Sequence, residues 1–231
     1  EATALFSDVR GFTTITEELG AQGTVTLLNE YFTLMVDCIQ KEDGMLDKFI
    51  GDAIMAVFGT PLAHEDDEDR AVRTAIGMLT ELNQFNRVRG LHGKRPIKMG
   101  VGVNTGNVLS GNIGSPKRMD YTVIGDAVNL AARLESACKQ YSAEILISEF
   151  TLAKLKGTYR TREIDLVIVK GKTTPVSVHE VLNHHNEESF PNMRDVLSQY
   201  EHGLERYRQG NWQPAIDSFN QALKLNPSDA I

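Results

Sequence analysis

Two aspartates stand where apolar runs give out. Asp8 closes the run at residues 2–7, and Asp52 follows Gly51 between apolar runs at residues 45–50 and 53–58. Taken singly, Asp8 would serve as a helix cap and Asp52 as a turn former. Taken together, two carboxylates converging beside a helix start offer the oxygen donors that hard divalent cations prefer. Just beyond Asp8, the amides of Gly11, Phe12 and Thr13 open a helical segment, and free amides aided by the helix dipole bind phosphate. A metal pair beside a phosphate cradle suits nucleophilic attack at phosphorus, with one ion activating a hydroxyl and the other neutralising departing phosphates. Lys48 is the other oddity, a cation inside the first apolar run of residues 45–50.

The elements that must position these residues follow from periodicity. The strand at residues 2–7 feeds a helix, and apolar residues Val25, Leu28, Phe32, Met35, Val36 and Ile39 recur near every 3.6 positions. Residues 45–50 and 53–58 read as a hairpin with Gly51-Asp52 as its loop. A helix over about residues 65–88 and a strand over residues 97–104 complete a β-α-β-β-α-β order. Further strands are expected at 108–113, 121–124, 145–147, 162–169 and 176–181, with a helix at 126–141. The fold class is α+β, a ferredoxin-like βαββαβ palm-type sandwich with added strands and a C-terminal helical hairpin. Residues 1–182 form the main domain and the polar residues 183–196 a linker. Residues 197–231 form one tetratricopeptide-like repeat, because Gly203, Leu204, Tyr207, Gly210, Trp212, Ala215, Phe219, Ala222 and Pro227 fit its spacing.

The chain has 231 residues, 41% hydrophobic and 24% charged, with a net charge of −7. That charge disfavours nucleic acid and anionic membranes as partners, since both select a basic face. Cys38 and Cys138 make no disulfide framework and read as reduced thiols of a cytoplasmic protein. No run of about 18 apolar residues is present, so direct membrane insertion is not expected. The chain opens directly in a strand, and we read it as a segment of a longer polypeptide.

Four ordered blocks, FSDVRGFT (residues 6–13), DKFIGDAIMAVFG (47–59), GVNTGNVLSGNIG (102–114) and YTVIGDAVNLAARLE (121–135), together resemble the class III nucleotidyl cyclase catalytic domain over about residues 1–182. The resemblance implies conversion of ATP to 3′,5′-cyclic AMP and pyrophosphate, for signal transduction. It implies two divalent cations, Mg²⁺ or Mn²⁺, on Asp8, Asp52 and the backbone carbonyl of Val9. It gives Asn129 and Arg133 to the ribose and the α-phosphate, and their i, i+4 spacing puts both on one helix face. Lys48 and Thr122 match the two base-reading positions; lysine suits N1 of adenine, and the threonine hydroxyl can accept from the adenine amino group. Threonine at the second position resembles the bicarbonate-responsive bacterial subgroup, which implies a bicarbonate effect. Lys172 matches a lysine reaching the terminal phosphates, and the same GKT is no P-loop, because Leu166 stands where a glycine is needed. Gly100 occupies a place where some members carry a phosphate-binding arginine, a role for which Lys98 or Arg95 is available.

In the family the active site lies between two cyclase domains, so a single chain carrying both residue sets implies a homodimer with two shared sites. Two rivals share the fold: a catalytically silent regulatory or scaffold module, and a guanylate cyclase. The first would lack a metal aspartate or the Asn-Arg pair, and the second would carry an acidic residue in place of Lys48. A diguanylate cyclase or polymerase palm is set aside because IGDA stands where GG[DE]EF would. The acidic start of the helix near His64 and residues 65–69 is read as complementing the helix dipole. His184-His185 lacks zinc-site spacing and is read as solvated linker.

Overall fold

A computed structural model of the chain describes residues 1–167 and 175–229. In chain order its elements are β1 (Ala2–Val9), α1 (Phe12–Lys41), β2 (Met45–Ile50), β3 (Ala53–Phe58), α2 (Asp67–Leu91) and β4 (Met99–Gly106). There follow β5 (Leu109–Ser115), β6 (Arg118–Ile124), α3 (Asp126–Gln140), β7 (Ile145–Ser148), α4 (Glu149–Leu152), β8 (Thr161–Val167), β9 (Val176–Val181), α5 (Met193–Arg208) and α6 (Trp212–Leu225). The main sheet has seven strands in the order β2-β3-β1-β4-β7-β9-β8, and β5 and β6 make a separate two-stranded ribbon. The first four neighbours are antiparallel, and β4 and β7 are parallel. This β2-β3-β1-β4 half is the ferredoxin-like plan expected from the order of elements.

Alternation along the central strands separates two apolar layers. Leu5, Ile54, Ala56 and Phe58 join Tyr31, Met35 and Ile39 of α1 and Val72, Ala75 and Leu79 of α2 in the main core. Ala4, Met55 and Val57 on the same strands instead meet Val128 and Ala131 of α3. So α1 and α2 cover one face of the sheet and α3 the other. Contact on the α3 side is close because β4 carries Gly100 and Gly102 there; a Cβ at Gly102 would lie 2.2 Å from the Glu135 nitrogen and 2.3 Å from the Ala131 carbonyl oxygen. The first helix is broken at Gly20 (φ 66°, ψ 178°), which divides the segment opening at Gly11 from the amphipathic stretch ending at Lys41.

Helices α5 and α6 form the C-terminal hairpin, with Gly203 against the Phe219 ring. It packs on the β8-β9 end of the sheet. Arg162 lies buried between Glu180 (Nε to Oε2, 2.7 Å) and Asp229 (Nη1 to Oδ2, 2.6 Å), with Tyr200 and Phe190 stacked on its guanidinium. Phe190, Met193 and Val196 bury with Leu182 and Ala222. His184, read above as solvated, has a fully buried side chain, 0% exposed, and its Nε2 bonds Glu144 at 2.8 Å. The polar appearance of residues 183–189 concealed this partner because Glu144 is 40 residues away in sequence.

Candidate active site

The metal-type aspartates meet at one edge of the sheet. Asp8 is the penultimate residue of β1, opposite Gly100 of β4, on the face that carries α3. Asp52 sits in the β2-β3 turn, where Gly51 adopts φ 67°. Glycine takes this left-handed conformation at little cost, so the turn can present the next side chain toward β1. The Asp52 carboxyl shares a hydrogen bond with Asp8 and accepts from its own amide and that of Val9, which brings together the three residues assigned to metal. Burial, then the neighbouring Asp8 charge, raises Asp52 to about 6. Two carboxylates and a main-chain carbonyl are an all-oxygen donor set, and their mutual repulsion is what a divalent cation would relieve.

Next to this pair the α1 N-terminus begins at Gly11 (φ 68°), with no side-chain cap on its first amides. Those amides keep the character of an anion-binding helix start. On α3, Asn129 and Arg133 lie on the exposed face, opposite buried Leu130 and Leu134. Glu135 on the same helix was not singled out by sequence reasoning. Burial, and then the Asp8 charge, pushes its carboxyl up to about 7. A carboxylate at the end of the 121–135 block, two residues after Arg133, carries no sequence signal of its own; only the fold puts it beside Asp8.

The base-type residues cluster across β2 and β6. Thr122, 6% exposed, donates to Asp47 Oδ2 at 2.6 Å, and Lys48 Nζ lies 3.1 Å from Asp47 Oδ1. Lys48 and Thr122 are thus joined through Asp47, which sequence reading passed over. Its one available signal was a second charge beside Lys48 in an otherwise apolar run. Lys172 lies outside the described residues. Arg95 is engaged by Glu18 (2.7 Å), and the Lys98 carbonyl receives the Arg10 amide. The acidic start of α2 is structural: Asp67 pairs with Arg70, and Asp69 accepts from the Lys156 and Gly157 amides and the Tyr159 hydroxyl.

The model of the adenylate and guanylate cyclase catalytic domain matches residues 1–185. The chain belongs to that family. An adenylate cyclase of Anabaena cylindrica is 39% identical over 186 residues, covering 78% of this chain and 36% of the relative. The terminal-differentiation specific adenylate cyclase of Dictyostelium discoideum is 36% identical over 231 residues, covering 98% of this chain and 11% of the relative. The cyclase domain thus spans about a third or less of the curated relatives it matches, and the second alignment runs through the C-terminal helices. Among solved structures, the adenylyl cyclase CyaB of P. aeruginosa aligns with a TM-score of 0.73 at 38% identity, covering 79% of this chain and 93% of that one. The guanylyl cyclase Cya2 aligns at 0.69 and 40%, covering 78% and 90%. Relatives named for both purines therefore lie at similar distance from this cyclase domain, and the choice of base must be argued from its own side chains.

Several large apolar side chains of the cyclase domain are exposed, among them Phe49 and Ile50 of β2 and Leu109, Met119, Tyr121 and Ile124 of the β5-β6 ribbon. Among the described residues no helix is long and apolar enough to cross a membrane.

Proposed function

We propose that the domain is an adenylate cyclase, making 3′,5′-cyclic AMP and pyrophosphate from ATP at two sites shared within a homodimer. The observation that carries this reading is the meeting of Asp8, Val9 and Asp52 beside an uncapped helix start, in a chain that also keeps Asn129, Arg133, Lys48 and Thr122.

In this reading the Gly11, Phe12 and Thr13 amides hold phosphate oxygens, and Lys172 reaches the terminal phosphates. Asn129 orients the ribose so that its 3′-hydroxyl faces the α-phosphate. As the O3′–P bond forms and the bond to the β-phosphate oxygen breaks, the Arg133 guanidinium meets the charge that builds on the α-phosphate. Two divalent ions, Mg²⁺ or Mn²⁺, held by the two aspartates and the Val9 carbonyl, would supply activation of the hydroxyl and neutralisation of the phosphates. Lys48 and Thr122 read adenine from the partner protomer.

The exposed apolar side chains of β2 and of the β5-β6 ribbon support the dimer, since a partner protomer would take some of them out of water. The C-terminal hairpin keeps tetratricopeptide spacing and exposes Trp212, Ile216 and Leu223 on α6, which favours a further repeat or a protein partner on that side. Capture of a tetratricopeptide-like repeat supplied as a separate peptide, abolished by Trp212→Ala, checks the first of these.

The central test assays purified protein with ATP and GTP, Mg²⁺ or Mn²⁺, with and without bicarbonate. Cyclic AMP as the main product is expected, with stimulation by bicarbonate. Asp8→Ala and Lys48→Ala chains should each be inactive and regain activity when mixed, because one site of the heterodimer is whole. Failure to recover with dimers confirmed would sink the shared-site reading, and cyclic GMP as main product would sink the role of Lys48.

A further inference from the structure

We infer that Asp47 is a positioning residue that sets the purine preference by locking the Thr122 hydroxyl as a hydrogen-bond acceptor. This rests on the reading above that Lys48 and Thr122 face the base. In a regular strand consecutive side chains point to opposite faces, so Asp47 and Lys48 could not share one side of β2. Here the β2-β3 register passes from Leu46 opposite Ala56 to Lys48 opposite Met55, leaving Asp47 as the extra residue of a bulge. Bulges re-aim side chains, often beside functional sites. The result is a carboxylate, itself 0% exposed, that reaches Lys48 Nζ at 3.1 Å with one oxygen and Thr122 Oγ1 at 2.6 Å with the other.

The chemistry follows from counting protons. A threonine hydroxyl has one proton and two lone pairs, and by rotating it can serve either a donor or an acceptor on a base. An ionised carboxylate only accepts, so the Thr122 proton is committed to Asp47 and Oγ1 offers lone pairs alone. The pocket then presents a donor at Lys48 and an acceptor at Thr122. Adenine is the complement, with an acceptor at N1 and a donor in its 6-amino group. Guanine is the reverse, a donor at N1 and an acceptor at O6. A threonine left to rotate would accept either base; Asp47 removes that freedom, and a mismatched polar pair in a buried site is costly.

The test compares kcat/KM for ATP and GTP in the full chain with Mn²⁺, with melting temperature as a control on folding. Asp47→Asn keeps the shape, but its amide can donate to Thr122 and release the hydroxyl proton toward guanine O6. The ATP-to-GTP ratio should fall about tenfold or more, chiefly through a lower KM for GTP. Thr122→Asn approaches the same point with Asp47 intact: its amide nitrogen should donate to Asp47 and its oxygen face the base, so ATP preference is retained, and adding Asp47→Asn should then abolish it. Thr122→Val reports on the underlying reading, since it removes the acceptor and should lower the ratio. If Thr122→Val lowers the ratio while Asp47→Asn leaves it unchanged, the role of Asp47 is overturned and the base-reading assignment stands. If Asp47→Asn does not fold, loss of ATP preference in Thr122→Asn alone overturns it. If neither Thr122→Val nor Lys48→Ala moves the ratio, the assignment of the pocket falls and the role of Asp47 with it.

Discussion

The Asp52 carboxyl bears the cost of proximity to Asp8. Its rise to about 6 comes first from burial and then from the Asp8 charge, so above that pH, without a cation, the folded domain holds two anions it would rather not ionise together. The sign follows directly. A carboxyl raised on folding is a destabilising charge at high pH, and the strain is relieved as pH falls through 6 toward the ordinary carboxyl range. Asp52→Asn should therefore melt higher than the parent at pH 8 without divalent metal, by about 2–4 °C for each kcal/mol of repulsion removed. The gap should narrow by about half at pH 5 and close near pH 4, and cyclase activity should drop by at least about a hundredfold at every pH. A lower melting temperature for the variant at pH 8 would show that the two carboxylates do not oppose one another.

Among the elements, α3 sets the position of Asn129 and Arg133, and the glycines of β4 set α3. Gly102 faces the α3 backbone itself, so an added methyl has no flexible side chain to displace. Gly102→Ala should cost about 1–3 kcal/mol by overpacking and lift α3 from the sheet. Because that shift moves Asn129 and Arg133 while Lys48 on β2 stays in place, kcat should fall by more than KM rises, which steady-state kinetics beside a thermal melt would show. Local order of this kind was legible in the chain: a continuous apolar run at residues 53–58, period 3.6 at residues 25–39, and a Gly-Asp turn between apolar runs each announced its element. Asp8, Asp52, Asn129 and Arg133 could be proposed from the sequence because they stand in contiguous motifs. Asp47, Glu135 and His184 were not, because each owes its role to a neighbour remote in sequence. Asp47 needs a bulge and residue 122, Glu135 needs the end of β1, and His184 needs residue 144. A bulge in particular leaves the residue types unchanged while reversing which side of the strand they face.

At the scale of the molecule, the C-terminal hairpin is held to the cyclase domain by an apolar cluster around Leu182 and Phe190 and by a polar seam whose groups titrate. Burial first, then the adjacent His184 and the Arg162 charge, depress His185 to about 4 against the opposing pull of Glu144 and Asp229. Glu144, which bonds His184, is held below the usual carboxyl range. For an imidazole whose folded pKa is depressed, the docked state favours the neutral ring, while an undocked ring takes a proton near 6.5. Its contribution to docking is complete above about 6.5 and is lost as pH falls toward 4. Glu180, raised by burial, titrates with the opposite sign, so the pH profile of the whole protein is not diagnostic, but a substitution at residue 185 is. Hydrogen exchange at pH 7.5 and pH 5, corrected for intrinsic rates, should show α5 and α6 losing protection at pH 5 while β1, β3 and β4 keep theirs. His185→Gln, which cannot be protonated, should flatten that difference. Equal loss in the variant and the parent would assign the opening to other groups in the seam, with Arg162 and its two carboxylates the first to replace.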